Sequence, residues 1–329
     1  SYAMEVHSGQ GWMVIEGPGT LMSNSSIIFA DGGCRLDIEE GALVNLYSIG
    51  QEDDASLRSI DGSFIDLTVD GAALMAHKVK DLYRPVLGPY ASITSPSGTN
   101  LYQDSNDLWY VGYLSGNHEE AENVVIENTY GISVANTPIT SRNAQHVEGD
   151  GIMGNISYNV FTRTLTLDNA TVNAQYDGLE SYLEDETLTI SLIGHNTISG
   201  ASGRGLLLQN STVIEAGDAS GDDWLTVAGL DGILMESGDF LTIQGGCHIE
   251  TSATYSGWQA GLYADGQDLT ISNSSVVAHN LSGNPCSAIT GFGNVILNGV
   301  GVLQPYGAEW EDENFQVGGS YVNDIEIGY

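Results

Sequence analysis

Positive charge is scarce in this sequence. Eight Lys and Arg stand against 43 Asp and Glu over 329 residues, a formal charge of −35 at pH 7. So acidic a surface repels nucleic acid and anionic membranes, so no nucleic-acid partner is expected. The three cysteines, Cys34, Cys247 and Cys286, sit at no metal-ligand spacing and offer no disulfide framework. No apolar stretch is long enough to span a bilayer, so membrane insertion is not expected. No stretch reads as a secretory leader, and the chain is expected to be a mature or trimmed form.

Glycine is plentiful, with 42 residues and no collagen-like period, and 41% of residues are hydrophobic. These residues recur in order. Gly178-Leu179, Gly205-Leu206, Gly232-Ile233, Gly261-Leu262 and Ala288-Ile289 mark successive units. Between them lie Leu188-Thr189-Ile190, Leu241-Thr242-Ile243, Leu269-Thr270-Ile271 and Val295-Ile296-Leu297. A third signature follows as Ile249-Glu250-Thr251, Val276-Val277-Ala278 and Val300-Gly301-Val302. Each unit is therefore three short strands, apolar at alternate positions, joined by Gly, Asn, Asp and Ser. A unit of this kind cannot bury its apolar face alone and must stack on copies of itself. The expected fold is all-β: a right-handed parallel β-helix, since parallel crossovers are overwhelmingly right-handed. Cys247 falls at the place of Ala42, Ala73 and Ser275 in other coils and is expected to be a small inward residue.

The first third of the chain repeats the last. Ile28 through Leu46 aligns without gaps on Ile233 through Thr251, and Leu67-Thr68-Val69 on Leu269-Thr270-Ile271. Ile93-Thr94-Ser95-Pro96 then matches Val302-Leu303-Gln304-Pro305, and Asn123 to Glu127 resembles Asn323 to Ile327. Two tandem modules follow, 1–129 and 130–329, each ending in an acidic, aromatic tail. The second opens on a lid, 130–163. In it Ile132-Ser133-Val134 and Pro138-Ile139-Thr140 read as one hairpin, and Ile156-Ser157-Tyr158 with Thr164 to Leu167 as another. Ser141 to Val147 reads as a short helix capped by Ser141. The first module shows no equivalent of this lid in the sequence, and the chain is expected to start inside a coil.

The run Tyr130 to Val134, Thr137 to Ser141, Asn143-Ala144 and Gly149-Asp150-Gly151, followed by Thr164 to Val172 and the coils, carries a resemblance. It is similar to a tandem β-helix repeat module common in secreted or surface proteins of gut bacteria, mainly Bacteroidetes and Firmicutes. It covers residues 130–329 and, as a partial second copy, 1–129. The resemblance implies a β-helical, extracellular or cell-surface bacterial protein, in some relatives carbohydrate-binding or adhesin-like. It brings no catalytic residues.

Candidate sites are few. Asp218, Asp222 and Asp223 share one loop and could offer oxygens to Ca2+, although the spacing matches neither an EF-hand nor the nonapeptide calcium repeat. An acidic solvated loop is the other reading, and no motif requires a cofactor. Tyr255, Trp258 and Gln259 lie in the longest interval between coils, where an aromatic loop could stack on a sugar or fold back as packing. His195, His248 and His279 fall in different coils with no triad spacing, and Trp224 reads as structural. Lys78, Lys80 and Arg84 read as a charge-balancing irregular loop. The Gly-His-Gly and Arg-x-Lys signatures of pectin hydrolases that share the β-helix are absent from the sequence.

The expectation is a non-catalytic extracellular protein for adhesion or surface recognition, with a glycan or host-surface ligand as partner. The alternatives are a polysaccharide-active β-helix enzyme of the pectin lyase or hydrolase kind, and a structural spacer.

Overall fold

The computed structural model describes residues 4–6, 12–16, 20–23, 27–29, 34–39, 42–46, 57–59, 65–88, 91–96, 98–114, 117–183, 186–218, 221–254, 259–281 and 286–329. Among these the chain is all β with no helix, and its parallel coils form a β-solenoid of about nine turns. Two compact units divide it. One comprises Ser1–Tyr130 with Thr140–Arg142, the other Gly131–Ile139 with Asn143–Tyr329.

In the second unit each coil contributes one strand to each of three faces. The first face stacks Leu179–Ser181, Leu206–Gln209, Ile233–Ser237, Leu262–Ala264 and Ile289–Thr290, all parallel. The second stacks 164–168, Leu188–Ile193, Thr212–Ala216, Phe240–Gln244, Asp268–Ser272 and Asn294–Asn298. The third stacks 171–174, His195–Gly200, Trp224–Gly229, His248–Ala253 and Ser275–Asn280.

Alternation decides which side chains enter the core. Leu188, Ile190, Leu241, Ile243, Leu269 and Ile271 are fully buried, and Thr189, Thr242 and Thr270 face outward, as the repeat requires. Identical or similar residues sit directly above one another, as with Leu241 on Leu269 and Ile243 on Ile271. Each buried aliphatic side chain contributes about 1.5–3 kcal/mol of transfer free energy. Thr212 completes the second face between Leu188 and Leu241. Its buried hydroxyl donates to the Asn210 carbonyl at 3.1 Å, so the polar atom is satisfied.

The recurring glycine has a steric cause. A Cβ on Gly178, Gly205 or Gly232 would lie 2.6, 2.7 or 2.6 Å from the carbonyl oxygen of the next glycine in the stack. The corner closes too tightly for any side chain. Ala288 ends the series, and its N–H bonds the Val322 carbonyl of the closing segment at 2.7 Å.

The opening of this unit is built of hairpins. Val124–Val134 pairs with Thr137–Thr140 across a two-residue turn, Ala135 and Asn136, both at positive φ as the primed hairpin turns require. Ile152–Asn159 runs antiparallel along Thr164–Ala174, the strand that starts the second and third faces. The exposed edge of the first coil is thereby paired. The helix expected over Ser141 to Val147 is instead a series of turns. Ser141 does not cap a helix there, because its hydroxyl donates to the Ala72 carbonyl at 2.6 Å.

The first unit repeats the design. Its faces stack Met4–Val6, Ile27–Phe29 and Leu57–Ser59; Trp12–Ile15, Cys34–Glu39, Ile65–Asp70 and Arg84–Leu87; and Thr20–Ser23, Leu43–Leu46 and Ala73–Ala76. Leu36, Ile38, Val44, Leu46, Leu67, Val69 and Leu74 form its core.

Both units close in the same way. In the first, 124–127 runs antiparallel to Ala73–Ala76 and then pairs with Ala91–Ser95. In the second, Asp324–Gly328 runs antiparallel to Ser275–Asn280 and then pairs with Gly301–Gln304. An antiparallel hairpin precedes each closing strand, Thr99–Gln103 with Trp109–Tyr113 and Glu309–Glu311 with Asn314–Val317. The aligned prolines, Pro96 and Pro305, both follow cis peptide bonds.

Candidate functional site

The third face of the second unit presents its outward residues in rows along the coils. One row is His195, Trp224, His248 and Ser275, each opposite the next in register. The His195 and Trp224 rings stack at 5.9 Å with 12° between planes, and Trp224 and His248 at 4.5 Å with 18°. Trp224 is thus sandwiched between imidazoles. Its indole N–H donates to Asp222 at 3.2 Å, and His195 Nε2 lies 3.4 Å from the same oxygen. Both faces of the Trp224 ring are thus covered by imidazoles, which leaves that ring only its edges for a ligand. The coil-to-coil spacings differ, and this hid the row. Aligning His195-Asn-Thr-Ile, Trp224-Leu-Thr-Val and His248-Ile-Glu-Thr on their alternating apolar residues recovers it.

The same face becomes concave at its far end. The outer side of Ser275–Asn280 and Asp324–Gly328 meets the segments around Pro305 and Val317–Asn323 in an open groove of about 530 Å3. Apolar contact comes from Val277, Pro305, Val317 and the half-exposed ring of Tyr321. Polar groups come from His279, Asp324, Asn323, Glu326 and Gln304. His279 Nδ1 is 2.8 Å from Asp324 Oδ1, which holds the ring, and its Nε2 lies 4.0 Å from Glu250 Oε1, beyond hydrogen-bond reach. Few polar groups set into an apolar lining are what a small-ligand site needs.

Asp218, Asp222 and Asp223 are dispersed. Asp218 is exposed on its turn, and Asp222 turns outward to Trp224 and His195. Asp223 turns inward and is fully buried, its Oδ1 accepting the Gly194 N–H at 2.9 Å. Among the described residues no three His, Cys, Asp or Glu gather as a metal site. Gln259 has its amide oxygen buried without a partner, and its carbonyl accepts the Cys286 thiol at 3.5 Å. Tyr255 and Trp258 lie outside the described residues.

Cys247 is a buried stack residue, but its neighbour in the stack is Ser274, at 3.7 Å, one place before the expected Ser275. Burial pushes its thiol up to about 11, which makes it a poor nucleophile. Lys78 and Lys80 lie beside Glu120, and Lys78 also beside Glu122. Arg84 opens the strand Arg84–Leu87 instead of lying in an irregular loop. No protein-family model matches the chain, and neither a curated protein nor a solved structure matches it.

Proposed function

We propose that this chain is a non-catalytic extracellular recognition protein that binds a neutral glycan in the groove at His279, Tyr321 and Asp324. The observation that carries the reading is the pairing of an exposed tyrosine ring and an apolar strip with carboxylate and amide groups in one open groove. A sugar ring has an apolar face and a rim of hydroxyls, and matches that arrangement. The charge of −35 supports a neutral ligand, because an acidic polysaccharide would be repelled. The resemblance to surface modules of gut bacteria supports an extracellular or cell-surface location.

Calorimetric titration of neutral and acidic oligosaccharides tests this. The wild type is expected to bind a neutral ligand at millimolar to micromolar Kd, roughly −4 to −8 kcal/mol. Tyr321→Ala and Asp324→Asn should each weaken binding about tenfold, while Trp258→Ala leaves it unchanged. Binding lost with Trp258 alone moves the site to that loop. Product release from polygalacturonate overturns the non-catalytic reading.

A further inference from the structure

The second face of the second unit ends in an open strand. Asn294–Asn298 pairs on one side with Asp268–Ser272, and among the described strands nothing pairs on its other side. The corresponding strand of the first unit is Arg84–Leu87. There Pro85 lies opposite Leu67 just as Val295 lies opposite Leu269. Proline and charge are the devices that keep an edge from pairing with another chain. Arg84–Leu87 has both, and Asn294–Asn298 has neither.

Charge is also absent around it. From Leu269 to Ala308 the sequence holds no Asp, Glu, Lys or Arg, in a chain where these make up 16% of residues. The carboxylate nearest in register, Asp268, is bonded by the Asn294 amide at 2.7 Å. Ile296, Leu303 and Tyr306 are 45%, 41% and 95% exposed. Two copies of so acidic a chain repel over most of their surfaces, and this stretch lets them approach without bringing carboxylates together.

The strand reads almost the same in both directions, Asn-Val-Ile-Leu-Asn. Antiparallel pairing about a two-fold axis sets Asn294 opposite Asn298, Val295 opposite Leu297, and Ile296 opposite its own copy. The three central positions are apolar and two of them β-branched, as suits sheet pairing, and the two-fold axis closes the contact. We infer that Asn294–Asn298 is a dimerisation edge, and that its partner is the same strand of a second copy of this chain. The two coil stacks then join through one continuous sheet.

Sedimentation of the full chain tests the inference, with Ile296→Lys and, as control, Val86→Lys at the matching position of the first unit. The wild type and Val86→Lys should be dimers at micromolar concentration, and Ile296→Lys a monomer with an unchanged circular dichroism spectrum. Raising salt should tighten the dimer, since it screens the repulsion. A second measurement covers the case in which Ile296→Lys misfolds. Ile296→Cys should oxidise to a disulfide-linked dimer and Asn294→Cys should not, because only residue 296 meets itself. A monomeric wild type, a dimer that survives Ile296→Lys, equal crosslinking of both cysteine variants, or open-ended growth in place of a closed pair would each overturn the inference.

Discussion

Arg142 forks onto Glu127. Its Nε donates to one carboxylate oxygen at 2.6 Å and its terminal nitrogen to the other at 3.0 Å, while Thr94 adds a third bond at 2.6 Å. Glu127 is almost wholly buried on the strand that closes the first unit. Burial pushes its carboxyl up, but the bonds from Arg142, Thr94 and Thr140 and the Arg142 charge together hold it below the usual value. Arg142→Ala strands a buried carboxylate and is expected to destabilise the unit by on the order of 3 kcal/mol. A depressed carboxyl stabilises above its unfolded value of about 4.3 and loses that contribution as pH falls through the folded value. The penalty in Arg142→Ala should therefore shrink below about pH 4 in denaturant titrations. A pH-independent penalty would count against the ion pair as its cause.

Asp231 works the other way. Burial raises its carboxyl to about 6, opposed by the Ala260 N–H and the Arg204 charge. A raised acid contributes stability that is complete below its unfolded value of about 3.9 and is lost as pH rises through about 6. Asp231→Asn keeps an oxygen for the Ala260 N–H and removes the charge. It should stabilise the fold at pH 7.5 by on the order of 3 kcal/mol, seen as a higher melting temperature, and leave it unchanged near pH 4. Equal effects at both pH values would point to packing instead.

Ile243 and Thr242 are neighbours on one strand with opposite fates. Ile243→Asp puts a charge among stacked aliphatic side chains and should cost about 3–5 kcal/mol. Thr242→Asp faces outward and should cost under about 1 kcal/mol. Similar melting temperatures for the two variants would refute the inward and outward assignment.

Calcium removal is a separate test. Asp222 and Asp223, in the segment that leads into Trp224–Gly229, turn one outward and one inward, so they do not present one set of oxygens to a cation. Chelator and Asp218→Asn are each expected to leave the melting temperature unchanged. A marked fall with both would make calcium structural.

The coils were legible because apolar alternation and stacking act on the same residues. Leu241, Ile243, Leu269 and Ile271 announce both their strand and their register. Thr212-Val213-Ile214 belongs to that series and was hidden, since a threonine fills an inward place through a bond to Asn210. The end of the coils was equally hidden. Alternation is the same for parallel and antiparallel pairing, so Val300-Gly301-Val302 reads as one more rung, whereas Gly301–Gln304 pairs antiparallel with Asp324–Gly328, which doubles back on Ser275–Asn280. The stack of His195, Trp224 and His248 exists only once coils of unequal length are laid over one another. The groove at Tyr321 needs the closing hairpin as well, which no local pattern places there.

The matched registers make each coil interchangeable. Leu206 lies opposite Ile233, and Ile233 opposite Leu262, with the same glycine corner below each. Excising 206–232 would set Ile233 against Leu179 and leave every remaining strand a partner of the kind it already had. Such a chain can lengthen or shorten by whole coils in its descent without searching for a new fold. At larger scale the two units share one plan, each ending on its own doubled-back final strand.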